Sequence, residues 1–116
     1  IYIAVIDGEI VGYQCLDLYA PSLMSMAHAG QLGTWLRSGW RRHGIGRALF
    51  RETVSFARSH GYRKFVIQVR ASNVSGLSFY AGLGFVECGR LARQVVIDGH
   101  EDDEIIMEIF LKRVIE

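Results

Sequence analysis

Arg41-Arg42-His43-Gly44-Ile45-Gly46, followed by Arg47-Ala48-Leu49-Phe50, is the stretch on which the fold turns. It stands between a strand-like segment and a helix-like one. Gly44 and Gly46 allow backbone angles and a close approach that a side chain would block. The residues after them open a helix, whose first N–H groups have no intrahelical partner and carry partial positive charge. Such an end can hold a pyrophosphate by backbone donors and dipole together. Arg41, Arg42 and Arg47 add guanidinium groups suited to phosphate oxygens. Two other nucleotide loops are excluded. A dinucleotide-binding loop needs a third glycine where Leu49 stands, and a Walker loop needs a Gly-Lys-Ser/Thr run that the chain lacks. On spacing alone, an anion cradle and a plain strand-to-helix turn both stay open.

Working outward, Ile45, Leu49, Thr53, Phe56 and His60 recur every three or four residues, and Phe50, Val54 and Ala57 widen the stripe. That period predicts a helix from Ile45 to about His60, with Gly61 ending it and Arg47, Arg51 and Arg58 on its opposite face. Tyr62 to Arg70 reads as a strand with Phe65, Ile67 and Val69 on one face. Ser72 or Asn73 can cap a second helix from Val74 to about Leu83, which Gly84 ends. Upstream, residues 1–6 and a strand from Glu9 to about Tyr19 make a hairpin around Asp7-Gly8. Residues 21–27 and 37–44 read as loops on either side of a third strand from His28 to Leu36. Phe85–Leu91, Arg93–Ile97 and Glu104–Leu111 read as three later strand segments, with Asp98-Gly99 as a turn. The order is β-β-β-α-β-α-β-β or close to it, an α/β chain whose mixed sheet carries helices on its faces. No repeat or linker divides it, so residues 1–116 are expected to form one domain.

At 116 residues, 50% hydrophobic and 22% charged, the chain can bury one core and has the balance of a folded protein. No apolar run approaches the ~18–20 residues of a membrane span, so no membrane partner is expected. The opening IYIAVIDGEI has neither an initiating Met nor the layout of a signal peptide, and reads as the middle of a strand with residues missing before it. Cys15 and Cys88 lie far apart without a paired motif, which argues against a disulfide scaffold or a metal site and fits a reducing cytoplasm. Charge is segregated. Arg37, Arg41, Arg42, Arg47, Arg51, Arg58, Arg63, Lys64 and Arg70 face one acid, Glu52, in the middle of the chain, whereas Asp98 to Glu108 carries six acids and no Lys or Arg. A basic middle suits an anionic ligand. A nucleic-acid track is disfavoured, because few aromatic residues are interleaved for base stacking.

Arg41-x-x-Gly44-x-Gly46 before a long helix resembles the Gln/Arg-x-x-Gly-x-Gly/Ala motif of the GCN5-related N-acetyltransferase (GNAT) family. Asn73 and Tyr80, followed by Gly82-Leu83-Gly84-Phe85, resemble that family's Asn…Tyr-x-x-x-Gly-Phe segment one strand later. The resemblance runs from the first strand to Leu111, and lacks the family's N-terminal strand and its first one or two helices. It implies the GNAT-like acyl-CoA N-acyltransferase fold, with acetyl-CoA as cosubstrate in a V-shaped gap between the strands ending near Leu36 and Arg70. The Leu36 backbone would then pair with the pantetheine arm. The N–H groups of Arg42, His43, Gly44, Ile45, Gly46 and Arg47, with Arg41 beside them, would hold the pyrophosphate, and Asn73 would touch the pantetheine.

By the same resemblance the reaction is direct attack of a neutral amine on the thioester. Tyr80 is the candidate general acid for the leaving thiolate, with sheet packing as the plain alternative. Gln68 stands where ribosomal-protein members carry a glutamate, and an amide cannot act as a base. His28 is a weaker candidate for that role, and Gln31 shares its strand. The implied acceptor is a primary amine of a small molecule or of a protein N-terminus. An acetyl-CoA-binding sensor without catalysis is the rival. Glu101, Asp102, Asp103 and Glu104 could attract a cationic amine, although a solvated turn accounts for them as well. Oligomeric state stays open, and a homodimer is one outcome where late strands present an edge.

Overall fold

The computed structural model describes residues 1–41 and 43–114, the side chain of Arg113 aside. In chain order it contains β1 (Tyr2–Ile6), β2 (Glu9–Leu18), β3 (Ala29–Leu36), α1 (Ile45–Ser59), β4 (Lys64–Arg70), α2 (Val74–Leu83), β5 (Val86–Ile97) and β6 (His100–Phe110). Single 3-10 turns stand at Met24–Met26 and Leu111–Arg113. Both hairpins turn where the sequence places them. Asp7-Gly8 and Asp98-Gly99 have positive φ at both positions, 52° and 80° in the first and 53° and 76° in the second. That geometry follows the right-handed twist of the strands it joins.

The six strands form one sheet in the order β1-β2-β3-β4-β6-β5. Every neighbouring pair is antiparallel except β3 and β4, which α1 connects as a parallel crossover. The expectation of three late strand segments is corrected to two. Residues 86–97 make one strand with irregularities near Cys88 and between Leu91 and Val95, and β6 starts at His100 rather than Glu104. The physical reason lies at Arg93. It takes φ 51°, and its N–H donates to Asp103 Oδ1 at 2.8 Å, so the ladder bulges without breaking.

Both helices pack on the face that carries Phe65, Ile67 and Val69 of β4 and Ile105, Met107 and Ile109 of β6. Phe50 of α1 meets Phe65 and Phe85 with ring centroids 6.2 and 5.9 Å apart. Leu49, Phe50, Thr53, Val54 and Ala57 of the predicted stripe are buried, whereas Phe56 and His60 at its rim are exposed. Two arginines of the opposite face bond to neighbouring segments. Arg47 donates from Nη2 to the Gly82 carbonyl at 3.0 Å, tying α1 to α2. Arg58 donates to the carbonyls of Leu111 and Val114, fastening the segment after β6. On the other face of the sheet, Ile3, Tyr13 and Trp35 lie in one row across β1, β2 and β3, each more than a third exposed.

Candidate active site

β3 and β4 pair over only three positions, Ala29 with Lys64, Gly30 with Phe65 and Gln31 with Val66. Beyond Gln31, β3 keeps β2 as its neighbour through Leu36, while β4 runs on beside β6 through Arg70. Two adjacent parallel strands therefore part in the middle of the sheet. The β4-facing backbone edge of residues 32–36 has no partner strand among the described residues. An extended ligand can pair with such an edge. Leu36, read from the sequence as a backbone contact, closes this edge opposite Gly12.

The loop after β3 ends in the motif that the sequence singled out. Gly44 is the N-cap of α1, with φ 77° and ψ 2°, a left-handed conformation that glycine adopts without strain. The first helical bond runs from Ala48 N–H to Gly44 O at 3.0 Å, so the N–H groups of Ile45, Gly46 and Arg47 precede the helical ladder. Among the described residues, nothing lies within 4 Å of a Cβ built on Gly44. Gly46 serves a different end. A Cβ there would stand 2.5 Å from the Phe79 ring, so the residue lets α1 and α2 approach each other. Arg41 donates from Nη1 to Ser75 Oγ at 3.2 Å, and His43 Nδ1 stands 2.9 Å from the Arg41 carbonyl. The first contact fastens the loop to the start of α2, and the second lies within the loop. Arg42 lies outside the described residues.

Asn73 caps α2, accepting from the Gly76 N–H at 3.0 Å with its Oδ1. Its carbonyl oxygen is thus engaged locally, and a contact to a ligand would come from its amide NH2. Tyr80, two turns on, is 8% exposed and extends to β3, where its hydroxyl donates to Thr34 Oγ1 at 2.9 Å. Thr34 stands three positions beyond the last β3–β4 pair, so the phenol lies at the parting of the strands. Burial raises the Tyr80 pKa above its ordinary value, and the Thr34 hydroxyl partly offsets this. The phenol therefore stays neutral near pH 7.

A model of the Acetyltransferase (GNAT) family matches residues 1–85. The chain belongs to this family.

Among GNAT proteins it is 35% identical over 80 residues to the mycothiol acetyltransferase of Corynebacterium glutamicum (strain R), covering 68% of this chain and 26% of that protein. The chain thus spans about a quarter of that relative's length. Its fold matches smu.2055 of Streptococcus mutans UA159 with a TM-score of 0.87 at 33% identity, over 94% of this chain and 68% of that one. A ribosomal-protein-alanine N-acetyltransferase of Brucella melitensis matches with a TM-score of 0.84 at 27% identity, over 93% and 66%.

Of the other residues singled out from the sequence, Gln68 stands on β4 two positions beyond its last pair with β3, whereas His28 does not lie at the parting of the GNAT sheet. His28 precedes β3 at its paired end, where its carbonyl accepts from the N–H groups of Arg63 and Lys64. It lines a cavity of about 510 Å³ with Tyr62, Arg63, Lys64 and Phe110, at the end of the sheet away from Leu36. Gln68 is exposed on β4 opposite Ile106. The acids of the last hairpin are engaged within the fold. Asp103 accepts from Arg90 Nε at 2.7 Å and from the Arg93 N–H, Asp102 accepts from the Ser72 hydroxyl, and Glu101 lies 3.7 Å from Arg93. Asp103 and Glu101 brace β5, and Asp102 braces the start of α2. Sequence reading missed Thr34, which meets Tyr80, and Gln14, which meets Thr34 through strand register.

Proposed function

We propose that this chain is an acetyl-CoA-dependent N-acetyltransferase acting on a primary amine of a small molecule or protein N-terminus. The observation that carries the reading is the parting of β3 from β4 beyond Gln31, with the N-terminus of α1 following β3 and the Tyr80 hydroxyl within it. In this reading the pantetheine arm of acetyl-CoA lies along the β3 edge up to Leu36, as an added strand would. Its pyrophosphate meets the N–H groups from His43 to Arg47, with Arg41 and Arg42 in the same loop supplying charge. Asn73 contacts the pantetheine from the start of α2.

Chemistry then requires little covalent help from the protein. The amine lone pair attacks the thioester carbonyl carbon, a C–N bond forms and the C–S bond breaks. Sulfur leaves with the bonding electrons and takes the Tyr80 proton, while the ammonium formed releases its proton to water. Alignment of two bound substrates supplies much of the acceleration. The mycothiol and ribosomal-protein-alanine acetyltransferase relatives support an amine acceptor without choosing between a small molecule and a protein.

Isothermal titration with acetyl-CoA, beside a Gly44→Glu variant checked for folding by circular dichroism, tests the reading. Micromolar binding that the variant loses is expected, followed by thiol release in an amine screen. A folded wild-type chain that does not bind acetyl-CoA would refute the proposal. Binding without turnover against any amine would leave the sensor reading instead.

A further inference from the structure

Tyr80, Thr34 and Gln14 form a hydrogen-bonded row from α2 through β3 to β2. Gln14 and Thr34 are direct partners across the β2–β3 ladder, so their side chains leave the sheet on the same face. Gln14 Nε2 donates to Thr34 Oγ1 at 3.0 Å, and Tyr80 donates to the same oxygen at 2.9 Å. Gln14 is fully buried, yet its Oε1 has no partner among the described residues. A buried amide that leaves one atom unpaired costs stability. An apolar side chain would serve the core better, so the Thr34 contact is what Gln14 adds.

We propose that Thr34, anchored by Gln14, is a positioning residue that holds the Tyr80 phenol in place for proton donation at the β3–β4 parting. This rests on the acetyltransferase reading above. A hydroxyl has two acceptor sites and one proton to donate. With the phenol protonated, Thr34 accepts from both Tyr80 and Gln14. When the C–S bond breaks, the phenol turns its O–H from Thr34 to the leaving sulfur and gives up that proton, and a phenolate remains. Thr34 can then turn its own O–H toward that phenolate while still accepting from Gln14, so the anchor survives the step. The β-branched side chain restricts the rotamers through which the hydroxyl could drift. Phe79 and Phe85 flank the Tyr80 ring, at centroid distances of 5.1 and 5.3 Å, and offer the phenolate no compensating charge. Burial and the Thr34 bond are the two causes that shift the Tyr80 pKa, and they act in opposite directions.

The test compares Thr34→Val, Thr34→Ser and Tyr80→Phe in the full chain. Titration of ¹³Cζ-labelled tyrosine by NMR reads the Tyr80 phenol directly, with its resonance assigned by its loss in Tyr80→Phe. Thr34→Val should move Tyr80 ionisation to higher pH and lower kcat about tenfold or more, with the KM for acetyl-CoA unchanged. Thr34→Ser should restore both. Unchanged ionisation in a folded Thr34→Val variant overturns the proposal, and so does an equal loss of turnover in the Val and Ser variants. A Tyr80→Phe variant with wild-type turnover would overturn the acid role and the proposal with it. A Thr34→Val titration shift in that case would place the failure in the assigned reaction and not in the contact.

Discussion

Asp103 shows how much one side chain of this fold can organise. Its carboxylate accepts from the Arg93 N–H and from Arg90 Nε, and these bonds hold its pKa below the ordinary 3.8. A carboxyl whose folded pKa is depressed stabilises the fold above its unfolded value and loses that contribution as pH falls through the folded value. The advantage of the wild-type chain over Asp103→Asn should therefore be present at about pH 7 and fade as pH drops below about 3.8 toward pH 2. Urea midpoints of the two proteins across that range would show it, and a pH-independent difference would contradict the ionic account. Part of this residue's role is legible in the sequence, since an acid near a turn is expected to be solvated or paired. Its partners are not legible, because Arg90 and Arg93 reach it only across the β5–β6 ladder. Tyr80 divides in the same way. The motif selects it, and burial keeps its phenol neutral, but its acceptor is visible only once β3 is placed beside α2.

Between elements, the two motif glycines part company. Gly44 is required by its left-handed φ, whereas Gly46 is required by Phe79. Alanine in a helix normally gains on glycine by roughly 0.5–1 kcal/mol. Gly46→Ala should reverse that sign, because its Cβ would stand 2.5 Å from a ring that packs against the core and against Tyr80. A loss of about 1–3 kcal/mol is expected from overpacking. Adding Phe79→Leu should recover part of it, and a double-mutant cycle in urea would measure the coupling. α1 itself was readable from its period, and α2 from its Asn73 cap and Gly84 end, as local features are. The bulged β5 was not, because the strand is continued through Arg93 by Asp103, ten residues ahead in the chain and on a different strand.

At the scale of the whole molecule, the cluster around Phe65 joins both helices to the middle of the sheet. Phe65 is fully buried against Phe50, so Phe65→Ala should destabilise the chain by about 3–5 kcal/mol. The loss should be the same by circular dichroism and by tryptophan fluorescence if the domain unfolds as one unit. The sequence by itself determined the order of elements, the two Asp-Gly turns, the stripe of α1, the cap of α2 and the glycine motif at the start of α1. All of these depend on residues within a few positions of each other, through backbone preference and side-chain period. Only the tertiary structure decided that β6 lies between β4 and β5, that β3 leaves β4 after three pairs, and that Gln14, Thr34 and Tyr80 share one row. Each of those depends on register between segments remote in the chain, and periodicity along one strand carries no information about which residue stands opposite on another.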